Sequence, residues 1–313
     1  MSDKIQEMSE IEKKSVNSPR KNKRKAGVFN IILFILLALF SLVLIVLLFW
    51  SLVASLTDGD FYELENVKYG FPIKYFTVDN YISAYQNLKV TLSTKNGNTE
   101  VYTMQLLLNS FIYSVGSAGL ITFVTCTVAY LTSKYPFKPS KIIYNVVLVV
   151  MIVPIVGELP SMVQMLTRIG LYDNLLGMFL MRASFTNMYF LVFYAYFKGV
   201  PWSYGESAFI DGAGHLKVYL KIVLPLAKSI FLTVFLLNFI VFWNEYQIPM
   251  VLLPSMPTIA LGVYMVRMSF DSELAYTPAK IAAGMLVCIP VMIIFGIFNK
   301  RLMGNLSTGG LKG

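Results

Sequence analysis

The sequence predicts an all-α fold: a polytopic membrane protein with six transmembrane helices and one short helical element on the cytosolic side. Three observations predict it. The 313 residues are 56% hydrophobic and only 14% charged, against about 45–50% and about 25% in a soluble domain. Six apolar segments approach or exceed the roughly 20 residues that a helical span needs. The basic residues also gather on alternate sides of those segments, as topology requires.

Taken in order, residues 1–27 are polar and Lys-rich and are expected to be disordered. Their polybasic end is suited to anionic headgroups. The first apolar segment runs from Val28 to Val53 behind KNKRKAG. It is too long for a signal peptide and lacks a small-residue cleavage site, so it reads as a retained span. The connection 54–103 is the one sizeable extracellular loop, too small and too polar to read as a domain of its own. The second span covers Met104 to Ser133. The third, Ile142 to Leu166, is interrupted by Pro154, Gly157 and Pro160. The fourth covers Asn174 to Phe197 and the fifth Leu226 to Leu253. The sixth covers Ile281 to Phe298, with Lys300 and Arg301 at its exit. The six-span body is thus 28–301, followed by a tail at 302–313.

With both termini in the cytosol, eight Lys and Arg precede the first span. Three lie between spans two and three, four around the loop before span five, and three at the C-terminal end. That is 18 of 26 on one side. The others are spread over longer loops and mixed with acids such as Asp58, Asp60, Glu63 and Glu65. The net charge of +9 therefore reflects topology and gives no support to nucleic-acid binding. The localisation predicted is a cell membrane, multi-pass.

Enzymatic chemistry finds few candidates. Cys126 and Cys288 both fall inside predicted spans and read as small packing residues, with neither a disulfide framework nor a metal cluster in view. No G-x-x-x-x-G-K-[ST] phosphate loop occurs, so this chain is not expected to bind or hydrolyse ATP. The single histidine, His215, has no Cys or His neighbours of zinc-site spacing and serves no credible triad. It reads as a capping or partner-contacting residue.

The informative interruption is ESAFIDGAGHLKVYLKIVLP, Glu206 to Pro225. Ser203 followed by Glu206 fits a capping box, placing a helix start near Tyr204. Gly212 and Gly214 supply a turn. In the second helix Leu216, Tyr219, Leu220 and Val223 fall at i, i+3, i+4 and i+7, one apolar face that would seat it. Pro225 marks the join to the fifth span. Physics alone reads this as a compact bracket at the membrane surface, either an anchor for a loop or a handle through which a partner moves two spans.

The same stretch resembles the EAA loop of the membrane subunits of binding-protein-dependent ABC importers. Glu206, Ala208, Gly212, Ile222, Leu224 and Pro225 stand where that pattern has its Glu, Ala, Gly, Ile, Leu and Pro. Asp211, Gly212 and Ala213 match its DGA, and Ser207 replaces an alanine. FTVDNY (Phe76–Tyr81), Asn109–Ser110, FWNEY (Phe242–Tyr246) and the ending GGLKG are similar to segments of maltose-type carbohydrate permeases, specifically the smaller subunit. The resemblance implies a non-catalytic permease of an ATP-driven importer for sugars or oligosaccharides, in a bacterial cell membrane with both termini cytosolic. It implies a second homologous permease, two ATPase subunits that bind ATP and Mg, and an extracellular solute-binding protein as partners. It makes residues 201–225 the coupling loop. Glu206 would cap and orient, Asp211 to Gly214 form the tip, Leu216, Tyr219 and Leu220 seat the second helix, and Leu224 and Pro225 close the motif. It also sends the tail, Gly309, Gly310, Leu311, Lys312 and Gly313, toward the ATPase pair. Two alternatives stay open: an importer of another solute, such as an amino acid or phosphate, and a secondary transporter or channel working without an ATPase.

Charges at membrane depth cost about 2.5–3.5 kcal/mol each at a helix centre and mark a candidate substrate pathway. Glu158 in the broken third span and Arg182 in the fourth both fall in the outer half, where they are expected to face the bundle interior and could pair. Trp243, Asn244 and Glu245 lie near the outer interface. They fit either an aromatic belt with a wetted acid or a sugar-stacking site.

Overall fold

The computed structural model describes residues 28–64, 75–94, 97–135, 137–153, 157–268 and 274–308, with no side-chain detail at 64, 94 and 299–308. The expected tail, Gly309 to Gly313, and Pro154 lie outside the described residues. The chain divides into two units, Met1–Trp50 and Ser51–Gly313. Helix α1, Val28–Ser55, supplies the described part of the first unit and enters the second. It is 28 residues long, about 42 Å at 1.5 Å per residue. Its side chains are apolar all round, as lipid requires.

The second unit is mostly helical. After α2 (Gly59–Leu64) and α3 (Asp79–Asn87) comes an antiparallel hairpin, β1 (Lys89–Thr94) with β2 (Gly97–Tyr102), registered from Lys89↔Tyr102 to Thr94↔Gly97. An all-α reading omits this hairpin. Its inner face carries the buried Val90 and Val101, and across its open face Lys89 Nζ meets Glu100 at 2.7 Å. Next come α4 (Thr103–Lys134), α5 (Lys138–Ile152), α6 (Glu158–Arg168), α7 (Leu175–Arg182), α8 (Met188–Gly199) and α9 (Ser203–Ile210). They are followed by α10 (His215–Leu226), α11 (Lys228–Trp243), α12 (Gln247–Leu252), α13 (Ile259–Met268) and α14 (Thr277–Thr308).

Among the described residues three helices are long and apolar enough to cross a membrane singly: α1, α4 and the Thr277–Phe298 part of α14. The pair α10–α11, bent by 76°, forms a fourth candidate. The remaining apolar segments are broken. The third breaks where expected, with Gly157 left-handed at φ +76°. Pro160 then sits in the first turn of α6, where its missing N–H is no loss. The fourth and fifth, expected as continuous helices, are each interrupted. Between α7 and α8, the Asn187 side chain accepts from Tyr189 N–H and Ser184 Oγ from Thr186 N–H. These local bonds compete with the helical ladder. After α11, Pro249 in the first turn of α12 lacks the N–H that would reach back to Glu245, so the fifth segment cannot run through as one unbroken ladder. Asn244 turns its amide back onto the Ile240 carbonyl instead.

Helix α4 organises this unit. It packs against α7, α8, α11 and α13. A side chain at Gly116 would put its Cβ 2.3 Å from the Phe179 ring, so glycine there lets α7 approach. Two apolar clusters lie along α4. One includes Leu106, Tyr113, Met178, Phe242 and Trp243; the other Cys126, Tyr130, Phe193, Phe197 and Tyr219. Cys126 is buried as expected, whereas Cys288 faces outward from α14.

Polar side chains of α4 hold neighbouring segments. Asn109 donates to the Pro257 carbonyl at 3.0 Å, and Ser110 accepts from Ile259 N–H at 2.7 Å. Thr125 donates to the Ser184 carbonyl at 3.2 Å and accepts from Asn187 at 2.9 Å. Thr122 accepts from Asn238 at 3.1 Å. In an apolar surrounding such backbone groups need partners, and α4 supplies them.

Candidate functional site

Two constellations hold most of the residues that the sequence singles out, separated by about 25 Å along α4, from Tyr113 to Tyr130. The first is the bracket formed by α9 and α10. Helix α9 starts one residue earlier than a Ser203 cap would place it. Trp202 is its N-cap, without a side-chain cap, and Ser203 is already helical. The Ser203 carbonyl accepts from Ser207 Oγ at 2.9 Å. The expected capping box is therefore not formed: the Glu206 N–H donates to the Trp202 carbonyl at 3.2 Å, and the exposed Glu206 side chain makes no hydrogen bond or ion pair among the described residues. The helix start is fixed instead by the Trp202 ring, which packs edge-on against Tyr135 at 5.5 Å and against Phe209 at 6.0 Å.

The C-terminus of α9 closes with paired bonds, Gly212 N–H to Phe209 O at 3.0 Å and Ala213 N–H to Ala208 O at 2.9 Å. With Gly212 at φ +77° this is a Schellman motif, in which glycine takes the left-handed position. Gly214 has a different role from the one expected. It is extended, with φ −73° and ψ 160°, and caps α10. Asp211, Gly212 and Gly214 are all exposed at the tip.

The bracket is seated on aromatic side chains. Tyr219 is buried, stacks on Tyr130 at 5.2 Å and shares a 2.7 Å hydrogen bond with Thr127 of α4. His215 Nδ1 lies 2.9 Å from the Tyr135 hydroxyl, with its ring 4.8 Å from Phe209. The Lys134 ammonium donates to the Val200 carbonyl. Of the expected apolar face, Tyr219 seats the helix, together with fully buried Val218. Leu216 and Leu220 point outward, since the buried face centres on Val218 and Tyr219; a π turn follows over Tyr219–Val223. Leu216 is 71% exposed and Ile210 86%, leaving an apolar tip on a rigid base. The aromatic seat escaped the sequence reading. Its signal is the clustering of Tyr130, Tyr135, Trp202 and Phe209 at segment ends.

The second constellation joins three elements. Arg182, the last residue of α7, donates to Glu245 and to the Tyr113 hydroxyl, the latter at 2.8 Å. Tyr113 in turn donates to Glu245. The guanidinium carbon lies 4.6 Å from the centre of the Phe242 ring, a cation–π contact. The two charged side chains are 20% and 21% exposed. Arg182 therefore pairs with Glu245; exposed Glu158, on the first turn of α6, has no ion pair among the described residues. Trp243 is buried, donates to the Val287 carbonyl at 2.9 Å and stacks on Phe239 at 5.6 Å. Its ring is a packing element here, and Asn244 is exposed. The sequence singles out Arg182 and Glu245 separately and offers Glu158 as a partner for Arg182; the break at Asn244–Tyr246 turns Glu245 inward, and it is Glu245 that meets the guanidinium.

Residues 122–304 match the family described as "Binding-protein-dependent transport system inner membrane component". Over 281 residues the chain is 25% identical to the diacetylchitobiose uptake system permease protein NgcG of Streptomyces coelicolor, covering 88% of this chain and 86% of that protein. Over 220 residues it is 26% identical to the trehalose transport system permease protein SugB of Mycobacterium tuberculosis, covering 68% and 80%. Among solved structures, a chain of a bacterial ABC transporter that imports the acidic polysaccharide alginate aligns with TM-score 0.66. That alignment covers 90% of this chain and 99% of the other, at 23% identity, and supports the fold.

Proposed function

Because the chain belongs to the family of binding-protein-dependent transport system inner membrane components, we propose that it is a permease subunit of an ATP-driven importer for sugars or oligosaccharides. The relatives' names support the substrate class, since they transport diacetylchitobiose and trehalose. Six crossings are the reading that accommodates the broken segments as membrane-embedded. The distribution of basic residues supports cytosolic termini and a cytosolic bracket. A second permease, two ATPase subunits carrying ATP and Mg, and an external binding protein complete the importer. Residues 302–313 lie on the ATPase side; α14 extends through Thr308.

The observation that carries the mechanism is the bracket's construction: an exposed tip with Tyr204, Ile210 and Leu216 outward, standing on an aromatic seat tied to α4. A protruding apolar tip on a soluble face is a docking surface. When the ATPase pair closes on it, load passes through Tyr219 and His215 to the α4 end, and through the bend at Ala227 to α11. Alternating access follows as rigid-body motion of these helices. Exposed Glu206 and Asp211 are charges presented to the partner.

Reconstitution of the chain with its partner subunits tests this. Uptake of labelled oligosaccharide should require ATP, and Ile210→Asp should release the ATPase from detergent-purified complexes. Uptake by this chain alone in vesicles, or an unimpaired complex with Ile210→Asp, would refute it.

A further inference from the structure

Helices α10 and α11 meet at 76°, and the inner corner of that bend holds a groove of about 370 Å3. Leu220, Leu224, Pro225, Phe231 and Leu232 give it an apolar lining, and Lys228 is the one charged residue on its wall. Two further lysines, Lys217 and Lys221, stand exposed on α10, one of the two helices that line the groove. Among the described residues none of these three lysines has an ion pair. No Asp or Glu occurs between His215 and Trp243. The bend thus combines an open apolar slot with three uncompensated positive charges.

We propose that this groove binds an anionic phospholipid, one acyl chain lying along Leu220, Leu224 and Leu232 and the phosphate resting against Lys228 with Lys221 beside it. Charge complementarity selects the occupant. A free phosphate ion would leave the apolar wall unfilled, and a neutral lipid would leave the lysines without a counter-charge. Lysines at a membrane surface attract anionic headgroups, each contributing about 1 kcal/mol. The position suits the role, because the groove lies in the bend between the bracket and α11, so a lipid there would brace the corner. The inference rests on the membrane placement proposed above and is independent of the solute carried.

The full chain with Leu220→Trp, on the groove's exposed rim, is reconstituted in phosphatidylcholine vesicles. Brominated phosphatidylglycerol is then titrated in, or brominated phosphatidylcholine in a parallel series. Fluorescence loss from the added tryptophan is read against the unaltered chain. Phosphatidylglycerol should quench at a several-fold lower mole fraction than phosphatidylcholine. Lys228→Gln should weaken that preference about fivefold, the factor equivalent to one surface lysine, and Lys228→Arg should keep it. Equal quenching by the two lipids, or a preference unmoved by Lys228→Gln, overturns the proposal. Absence of quenching by either lipid overturns it too, since no acyl chain would then lie along Leu220. None of these outcomes depends on transport, so failure here is separable from failure of the importer reading.

Discussion

Removing one member of the Arg182–Glu245 pair should cost far more than removing both. Breaking a well-buried pair by deleting one partner costs about 3–5 kcal/mol, because a charge is left uncompensated in a low-dielectric surrounding. Here the two side chains keep about a fifth of their surface, so water recovers part of that loss. Scaling by the buried fraction gives about 2.5–4 kcal/mol for Arg182→Met. In that variant Glu245 keeps the Tyr113 hydroxyl as its one donor. Glu245→Leu should cost less, since the cation retains the Phe242 ring and the Tyr113 hydroxyl. The double variant Arg182→Met/Glu245→Leu removes both charges while holding similar volume. It should lie within about 1 kcal/mol of the parent, as apolar replacements of buried pairs do. The assay is a double-mutant cycle on reversible unfolding in mixed micelles. A coupling energy below about 0.5 kcal/mol would mean the two residues act independently, and the triangle would then not be the unit that the geometry implies.

At the bracket, Gly212 has nothing within 4 Å of a built Cβ but sits at φ +77°, so Gly212→Ala should cost about 1–2 kcal/mol from backbone conformation alone. Gly214→Ala, at φ −73°, should be nearly neutral. A bulky residue at 212 should leave the protein inserted and assembled while ATP hydrolysis and uptake lose proportionality, checked by measuring both in proteoliposomes. Tyr219→Phe keeps the stack on Tyr130 and loses the Thr127 bond, a loss of about 1 kcal/mol. Tyr219→Ala should cost about 3–5 kcal/mol by opening the seat, and thermal denaturation of the two variants should separate them. In the hairpin, hydrogen bonds from Lys89 and then Tyr102 hold the Glu100 carboxyl below its ordinary range. Its stabilising contribution is therefore complete above the unfolded carboxylate pKa and lost as pH falls through the lowered folded value. Lys89→Gln should raise the Glu100 midpoint in a carboxyl-resolved NMR titration, and an unmoved midpoint would deny the pairing.

How far the sequence carried the fold depended on the range of the interactions involved. Apolar run length located α1, α4 and α14 to within a few residues, apart from the C-terminal extension of α14 to Thr308. The Gly212 turn was legible because a left-handed residue demands glycine locally. The breaks at Ala183–Asn187 and Asn244–Tyr246 were not, because hydropathy averages over the polar residues that create them. Pro249 and the Ser184–Asn187 cluster were the available local signals. The hairpin was missed although Asn96–Gly97 between Val90, Leu92 and Val101 is a recognised turn pattern. The partner of Arg182 was beyond reach for a different reason. It lies 63 residues away, and only the break in the fifth segment brings Glu245 to it.

These features bear on how force would cross the molecule. The bracket is fastened to the far end of α4 and the loop after it through Tyr219–Thr127 and His215–Tyr135, while Lys134 holds the segment leading into the bracket. At the opposite end, α4 holds Glu245 through Tyr113 and the segment before α13 through Asn109 and Ser110. A load on the tip therefore meets α4 directly, whereas it meets α11 only across the 76° bend at Ala227. A continuous helix transmits displacement with little loss, and a bend absorbs it. By that comparison α4 is the stiffer route between the bracket and the Arg182–Glu245 pair. Loosening the bracket's tie to α4 with Tyr219→Phe should then weaken coupling more than loosening the bend with Ala227→Gly.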